Sequence, residues 1–397
     1  MTGLTVLVTG MTRYVGSALA GRLAAHPAVD RVIGVDAAMP EPGARARMGD
    51  AEFVRADIRN PVIFKVIQAA GVDTVVHASA SSTPSGSAAR SMAKEMNVLG
   101  SMQLLAACQR SNGVRNLVVR STASVYGGSS RDPAIATEET VAHSVPSTGL
   151  ARDALDIEGY VRGFGRRRPD VRIAVPRFCD IIGPTVRTPL TRYFSMTPVV
   201  PVLAGHDARM QLVHELDAVA LMEHLALGSF AGTVNVAGDG AITVTQAIRR
   251  AGRIPVPVPS SALGAVSRAL SLFGSGAFSA AQVRLLAPGR VLDTTKLREQ
   301  VEFIPRFTTT AAFDDFVGRL VPAISAGSVR AAETRVAAAL GVRPEARGSI
   351  SGAGPGIADR TGSGADPGPL RPRLVSIPGE AAGTGRARSP RPGGSKK

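Results

Sequence analysis

The strand-like stretch Leu4–Thr9 (LTVLVT) runs without a linker into Thr9-Gly10-Met11-Thr12-Arg13-Tyr14-Val15-Gly16, and a helical pattern begins at once over 15–25. A glycine-bearing turn between strand and helix aims backbone N–H groups and the helix N-terminus at one point in space, an arrangement suited to a pyrophosphate. Twenty residues past Gly16, the next strand-like run, RVIGVD (31–36), ends on Asp36. A carboxylate there would accept hydrogen bonds from both hydroxyls of a ribose and would repel a 2′-phosphate. The spacing therefore predicts a dinucleotide site that prefers NAD to NADP, with Gly10, Gly16 and Asp36 at its centre.

The same alternation continues along the chain. Short β-branched runs at 4–9, 31–36, 73–77, 115–120 and 171–176 are separated by helical patterns such as 92–110, where Leu99, Met102, Leu104, Leu105 and Cys108 keep near-helical spacing. Strand and helix in strict turn predict an α/β chain with a doubly wound parallel sheet. Residues 186–320 read differently, with scattered short strands, a proline-rich break IPVPVPS (254–260) and helices near 215–227 and 243–252. The expected organisation is a dinucleotide-binding domain over 1–185 and a smaller substrate-binding lobe over 186–325, interleaved with the first. A terminal helix over 326–341 and a disordered tail over 342–397 complete it. Gly and Pro supply 20 of the last 56 residues, a composition that cannot bury a core.

Charge narrows the function classes. The chain of 397 residues carries a net charge of +15, and the tail beyond 341, with ten Arg and Lys against four Asp and Glu, holds six of those charges. Aromatic residues make up 4% with no Trp, too few for stacking platforms among the basic residues, so no nucleic-acid partner is expected. Two cysteines, Cys108 and Cys179, allow neither a disulfide framework nor a cysteine zinc site. His206 and His214 have no carboxylate at ligand spacing, so no metal is expected. Without a leader or a long apolar run, a cytoplasmic location with no membrane insertion is expected.

Several further motifs, taken in order over residues 4–320, resemble the NAD-dependent epimerase/dehydratase family of extended short-chain dehydrogenases/reductases, which includes UDP-glucose 4-epimerase. The first loop is similar to the family's TGxxGxxG at Gly10 and Gly16, with Thr9 before it and Arg13 in place of the middle glycine, where its guanidinium is expected to contact a cofactor phosphate directly. Asp57-Ile58 in RADIRN resembles the pair that holds the adenine ring, and His77-Ala78-Ser79-Ala80 the H-x-A-A turn beside the cofactor. Asn97 in NVLGS falls on NVxGT, and Thr122 in STASVYG falls on the Ser/Thr that holds a substrate hydroxyl. PRFCDIIGP (176–184), LVHELDAVA (212–220) and GTVNVAG (232–238) are similar to later family segments. Actinobacterial members share stretches such as AEFVRADIRNP, LDIEGYVR and AIRRAGRIPVPVP. The resemblance implies a Rossmann-type fold, NAD as cofactor and a nucleotide sugar as ligand. It also implies a homodimer built from the helices near 92–110 and 150–166.

The pattern breaks where the chemistry would lie. The family's YxxxK motif supplies a tyrosine that exchanges a proton and a lysine that lowers its pKa. In this chain Leu150 and Ala154 take those positions, and none of Tyr14, Tyr126, Tyr160 and Tyr193 has a lysine four residues on. Asp180 replaces a substrate-binding Asn, and Arg209 in GHDARMQLVH is a candidate for the diphosphate. Thr122 is the retained catalytic-site residue. Among possible surrogates, His77 reads as structural, Asp153 as a surface charge on its helix, and Tyr126 as packing behind the site with a lesser claim to acid catalysis. Three readings follow: an enzyme with an unconventional acid/base, a degenerate binder of NAD or a sugar nucleotide, and a hydroxysteroid-type dehydrogenase suggested by the apolar stretch 262–273. The last needs the same missing tyrosine.

Overall fold

The computed structural model describes residues 3–78, 87–127, 131–144, 149–265 and 289–320. Seven strands form the main path of one parallel sheet. They are β1 (Leu4–Thr9), β2 (Val29–Asp36), β3 (Glu52–Arg55), β4 (Thr74–His77), β5 (Asn116–Val119), β6 (Arg172–Phe178) and β7 (Gly232–Val236), in the spatial order β7-β6-β5-β4-β1-β2-β3. The short strand Ser121–Thr122 pairs with the end of β6. The expected doubly wound parallel sheet is thus present, and the strand order reverses between β1 and β4.

Both faces of the sheet are covered, which is why its strands are nearly continuous apolar runs. Side chains alternate along each strand. Val6 and Val8 of β1, Val32 of β2 and Val76 of β4 pack on one face with α1 (Tyr14–Ala24). Leu7, Ile33 and Val75 point to the other, against α2 (Val62–Ala70), α3 (Gly100–Arg110) and α4 (Leu150–Arg167). A further helix, α5 (Glu215–Leu227), is apolar nearly all round and joins α1 on the first face. Asn116 at the start of β5 donates to the carbonyls of Leu225 and Ala226, satisfying the end of α5.

Two local readings change. The pattern over 92–110 is interrupted by a π-turn at Glu95–Leu99 before α3 begins. The wider turn shifts the helical phase, so Leu99 is 45% exposed while Leu104, Leu105 and Cys108 are buried. The proline-rich break contains a strand, Ile254–Val258, paired in parallel with Val199–Leu203. Pro255 and Pro257 alternate along it, and a two-stranded sheet has only edges, where proline's missing N–H is tolerated.

After β6 the chain leaves the main sheet, forms the pair Asp180–Ile182 and Leu212–His214, returns through α5 to β7, and leaves again. The outer elements share a separate core that includes Tyr193, Phe194, Ile248 and Phe313. Ser79, most of the apolar stretch 262–273, and the segments 326–341 and 342–397 lie outside the described residues.

Candidate functional site

Gly10 leaves β1 with φ of 81°, a left-handed conformation that costs glycine least. Helix α1 then comes so close to the loop that a Cβ on Gly16 would lie 2.3 Å from the Gly10 carbonyl oxygen. Gly10 is favoured by its backbone angle and Gly16 by the close approach of helix and loop. Arg13 is extended, precedes the first turn of α1, and donates its backbone N–H to Gly10 O at 3.0 Å. Its side chain is exposed.

Asp36 ends β2 beside this loop. One carboxylate oxygen, Oδ2, accepts from the Thr12 backbone N–H at 3.0 Å and from its hydroxyl at 2.9 Å. The other, Oδ1, accepts from the Ala38 N–H at 3.3 Å. The carboxylate therefore both braces the loop and stands at its mouth, an arrangement compatible with a ribose diol. Asp57 is differently engaged. Arg59 grips it with Nε and Nη2, at 2.7 Å for the latter, and this pairing holds its carboxyl below the usual range. Ile58 is buried and packs where a Cβ on Gly100 would meet it at 2.8 Å.

His77 is held between Thr9 Oγ1 and Ser101 Oγ, each at 2.8 Å from one ring nitrogen. Burial pushes its pKa down to about 4, so it is a neutral tie between β1, β4 and α3. Ala78 is fully buried at the end of β4. Asn97 lies in the π-turn and donates its Nδ2 to Asp153 Oδ2 at 3.2 Å. Asp153 is not a surface charge: it is 0% exposed, because the residue lies on the flank of α4 that faces the π-turn.

Two cavities adjoin at Thr122. One is lined by His77, Asn97, Arg120, Thr122, Leu150, Ala154 and Glu158 among others. Leu150 and Ala154 therefore face this cavity and present only alkyl groups to it. The other is lined by Thr122, Ser124, Phe178, Asp180, Arg209 and Arg290 among others. Asp180 opens onto this space, yet the surrounding protein raises its carboxyl above the usual range, with Arg290 pulling the other way.

Arg209 and Arg290 are brought together by the backbone, since the Arg290 N–H donates to Arg209 O at 3.0 Å. Arg290 also donates to Ala123 O at 3.3 Å. Neither Arg290 nor Arg120 belongs to a spaced motif, and each becomes significant only through its neighbours in space. Tyr126 does not line either cavity. Its hydroxyl donates to Asn235 Oδ1 at 2.5 Å and accepts from Arg177 Nη1 at 2.9 Å. Burial pushes its pKa up to about 12, which sets it within the core network rather than among proton-transfer groups.

A doubly wound sheet, a glycine loop at its switch point and an acid at the end of the second strand define a dinucleotide-binding protein of the Rossmann class. Comparison with known proteins narrows this. Residues 6–237 match the model of the NAD dependent epimerase/dehydratase family, and the chain belongs to that family. An uncharacterized protein of Mycobacterium tuberculosis is 48% identical over 332 residues, 83% of this chain and 88% of its own length. The UDP-glucose 4-epimerase of Thermotoga maritima, solved with UDP-glucose, has a TM-score of 0.63 at 17% identity, covering 80% of this chain and 98% of that one. The UDP-glucuronic acid 4-epimerase of Bacillus cereus, solved with NAD, has a TM-score of 0.62 at 16% identity over the same shares. At those identities the two structures speak for the fold. Among the described residues, no helix is long and apolar enough to cross a membrane.

Proposed function

We propose that the chain binds NAD and a nucleoside diphosphate sugar in adjoining halves of one cleft, without the tyrosine and lysine that move the proton in the family pattern. The observation that carries this reading is the place of Thr122, which lines both cavities. It stands between the wall of Leu150 and Ala154 and the wall of Arg209 and Arg290.

In this reading Gly10, Gly16 and Asp36 hold the adenosine side of the cofactor, with Thr9, His77, Ala78 and Asn97 shaping the floor of its site. NAD, when bound, supplies a hydride acceptor. Arg209 and Arg290 offer two forked guanidinium groups to the diphosphate of the sugar nucleotide, an anion that such groups bind in bidentate fashion. Thr122 offers its hydroxyl to the sugar. Leu150 and Ala154 can neither accept a proton nor hold a ribose hydroxyl, and loss of a positioned acid/base costs on the order of 10²–10⁴ in rate. A second reading, turnover through a different group, is favoured by Asp180: a raised carboxyl facing the same cavity as Thr122 is better matched to proton transfer near neutral pH than an ordinary one.

The test loads the protein with NAD, adds UDP-glucose or UDP-galactose, and follows both calorimetric binding and the absorbance of reduced nicotinamide. Binding without reduction in the wild type, with reduction appearing in Leu150→Tyr/Ala154→Lys, is the expected result. Reduction in the wild type that disappears in Asp180→Asn establishes the second reading instead. No binding of either sugar nucleotide overturns both.

A further inference from the structure

Arg120 lines the cavity beside His77 and Asn97, but no role has been given to it so far. It directly follows β5, and its backbone N–H donates to His77 O at 3.0 Å, which places it beside the end of β4. Its Nη1 crosses that end to the Ala78 carbonyl at 3.4 Å, and its Cζ lies 5.8 Å from the centre of the Phe178 ring. Its Nε is buried with no hydrogen-bond partner. A guanidinium has five donors and no acceptor, and a buried donor left unpaired carries the full cost of its lost hydration. Evolution can retain such a group where a ligand supplies the missing acceptor.

The location of this group says what the ligand is. In the sheet, β4 lies between β1 and β5, and Arg13 follows β1 at the mouth of the glycine loop. Arg120 and Arg13 thus flank the gap between β1 and β4, where the strand order reverses and where sheets of this kind take their ligands. Burial, with a further contribution from the nearby charge of Arg13, lowers Arg120 to about 10, which still leaves it protonated at neutral pH. Two positive charges near one crevice make a field that favours an anion there. The first turn of α1 adds its own N–H groups on the same side.

The other end of the cleft offers little. Leu150 and Ala154 make no hydrogen bond to a second ribose, so recognition is weighted toward the adenosine half, where Asp36 and Thr12 stand. We propose that Arg13 and Arg120 form a two-guanidinium phosphate clamp across the gap between β1 and β4, and that the site recognises the adenosine 5′-diphosphate moiety rather than the whole dinucleotide. ADP and ADP-ribose then bind about as tightly as NAD. The proposal rests on the reading of this cleft as the dinucleotide site.

The experiment is calorimetric titration of the full chain with NAD, ADP-ribose, ADP and inorganic pyrophosphate, each at low and high salt. Affinities for the first three agree within a few-fold, and all four ligands weaken with salt, because a guanidinium–phosphate contact is screened. Arg120→Gln and Arg13→Gln each weaken ADP and pyrophosphate by about tenfold or more and flatten the salt dependence, as expected for the loss of a charge-assisted hydrogen bond. Arg120→Lys restores part of the loss. Arg13 is exposed, so its substitution does not test folding, and circular dichroism checks that Arg120→Gln is folded. NAD binding about a hundredfold tighter than ADP, or unchanged ADP affinity in both Gln variants while the wild type binds NAD, overturns the clamp alone. A wild type that binds none of the nucleotides overturns the dinucleotide reading with it.

Discussion

His77 shows how one buried side chain ties the fold to pH. Its two ring nitrogens are occupied by Thr9 and Ser101, and burial favours the neutral form. The folded chain protonates it near pH 4, against an ordinary value of 6.5, so between those values the unfolded state binds more protons. The stability this contributes is present above about pH 6.5 and is lost as pH falls toward 4. Full loss amounts to roughly 3 kcal/mol. Thermal unfolding followed by circular dichroism should show Tm falling over that window. His77→Gln should flatten the pH slope there; an unchanged slope would assign the titration to another group. The identity of His77 was legible in its motif, and so was its structural character. Asp153 was not, because a carboxylate on an amphipathic helix reads as solvent-facing until a buried partner, here Asn97, is placed against it.

At the scale of the element, α4 lines the cavity beside Thr122 and also anchors that wall to the sheet. Leu150, Ala154 and Glu158 recur every four residues and share one face, so all three line the same cavity. Glu158 adds a buried ion pair. Its Oε2 accepts from Arg177 Nη2 at 2.7 Å and its Oε1 from Ser121 at 2.6 Å, with side-chain exposures of 4% for Glu158 and 11% for Arg177. Removing one partner of such a pair leaves an uncompensated charge. Glu158→Ala should therefore lower unfolding stability by about 3–5 kcal/mol in urea titrations. A loss below about 1 kcal/mol would mean that Arg177 finds water or another acceptor. This network joins α4 to β6 and, through Tyr126 and Asn235, to β7. Its members are scattered from 121 to 235, and no sequence spacing links them.

For the whole molecule, the exposed apolar side chains Met92, Leu99 and Tyr160 lie on the helical layer formed by the segment before α3 and by α4. The family resemblance expects two copies to pair through these helices, and apolar groups at 67%, 45% and 41% exposure there suit such a contact. Light scattering on the eluting protein should give the mass of a dimer, and Leu99→Glu with Tyr160→Glu should shift it to a monomer. A wild type that elutes as a monomer at micromolar concentration would remove the expectation.

What the sequence determined by itself was the layered sheet, the glycine turn and the acid that follows it. These are written locally: β-branched runs buried on both faces, a glycine where φ must be positive, and a fixed strand–helix–strand length that brings Asp36 to the loop. The proline-rich strand 254–258 escaped this kind of reading because its pairing with 199–203 is a nonlocal event, and proline weakens the local signal without forbidding an edge. Arg290 and Arg120 escaped for a related reason. A guanidinium's role depends on which acceptors, cations and cavities surround its tip, and those neighbours come from strands far apart in the chain. Only the tertiary structure decided that Arg290 stands beside Arg209, that Asp153 is buried against Asn97, and that Arg120 lies over the end of β4 with a donor unfilled.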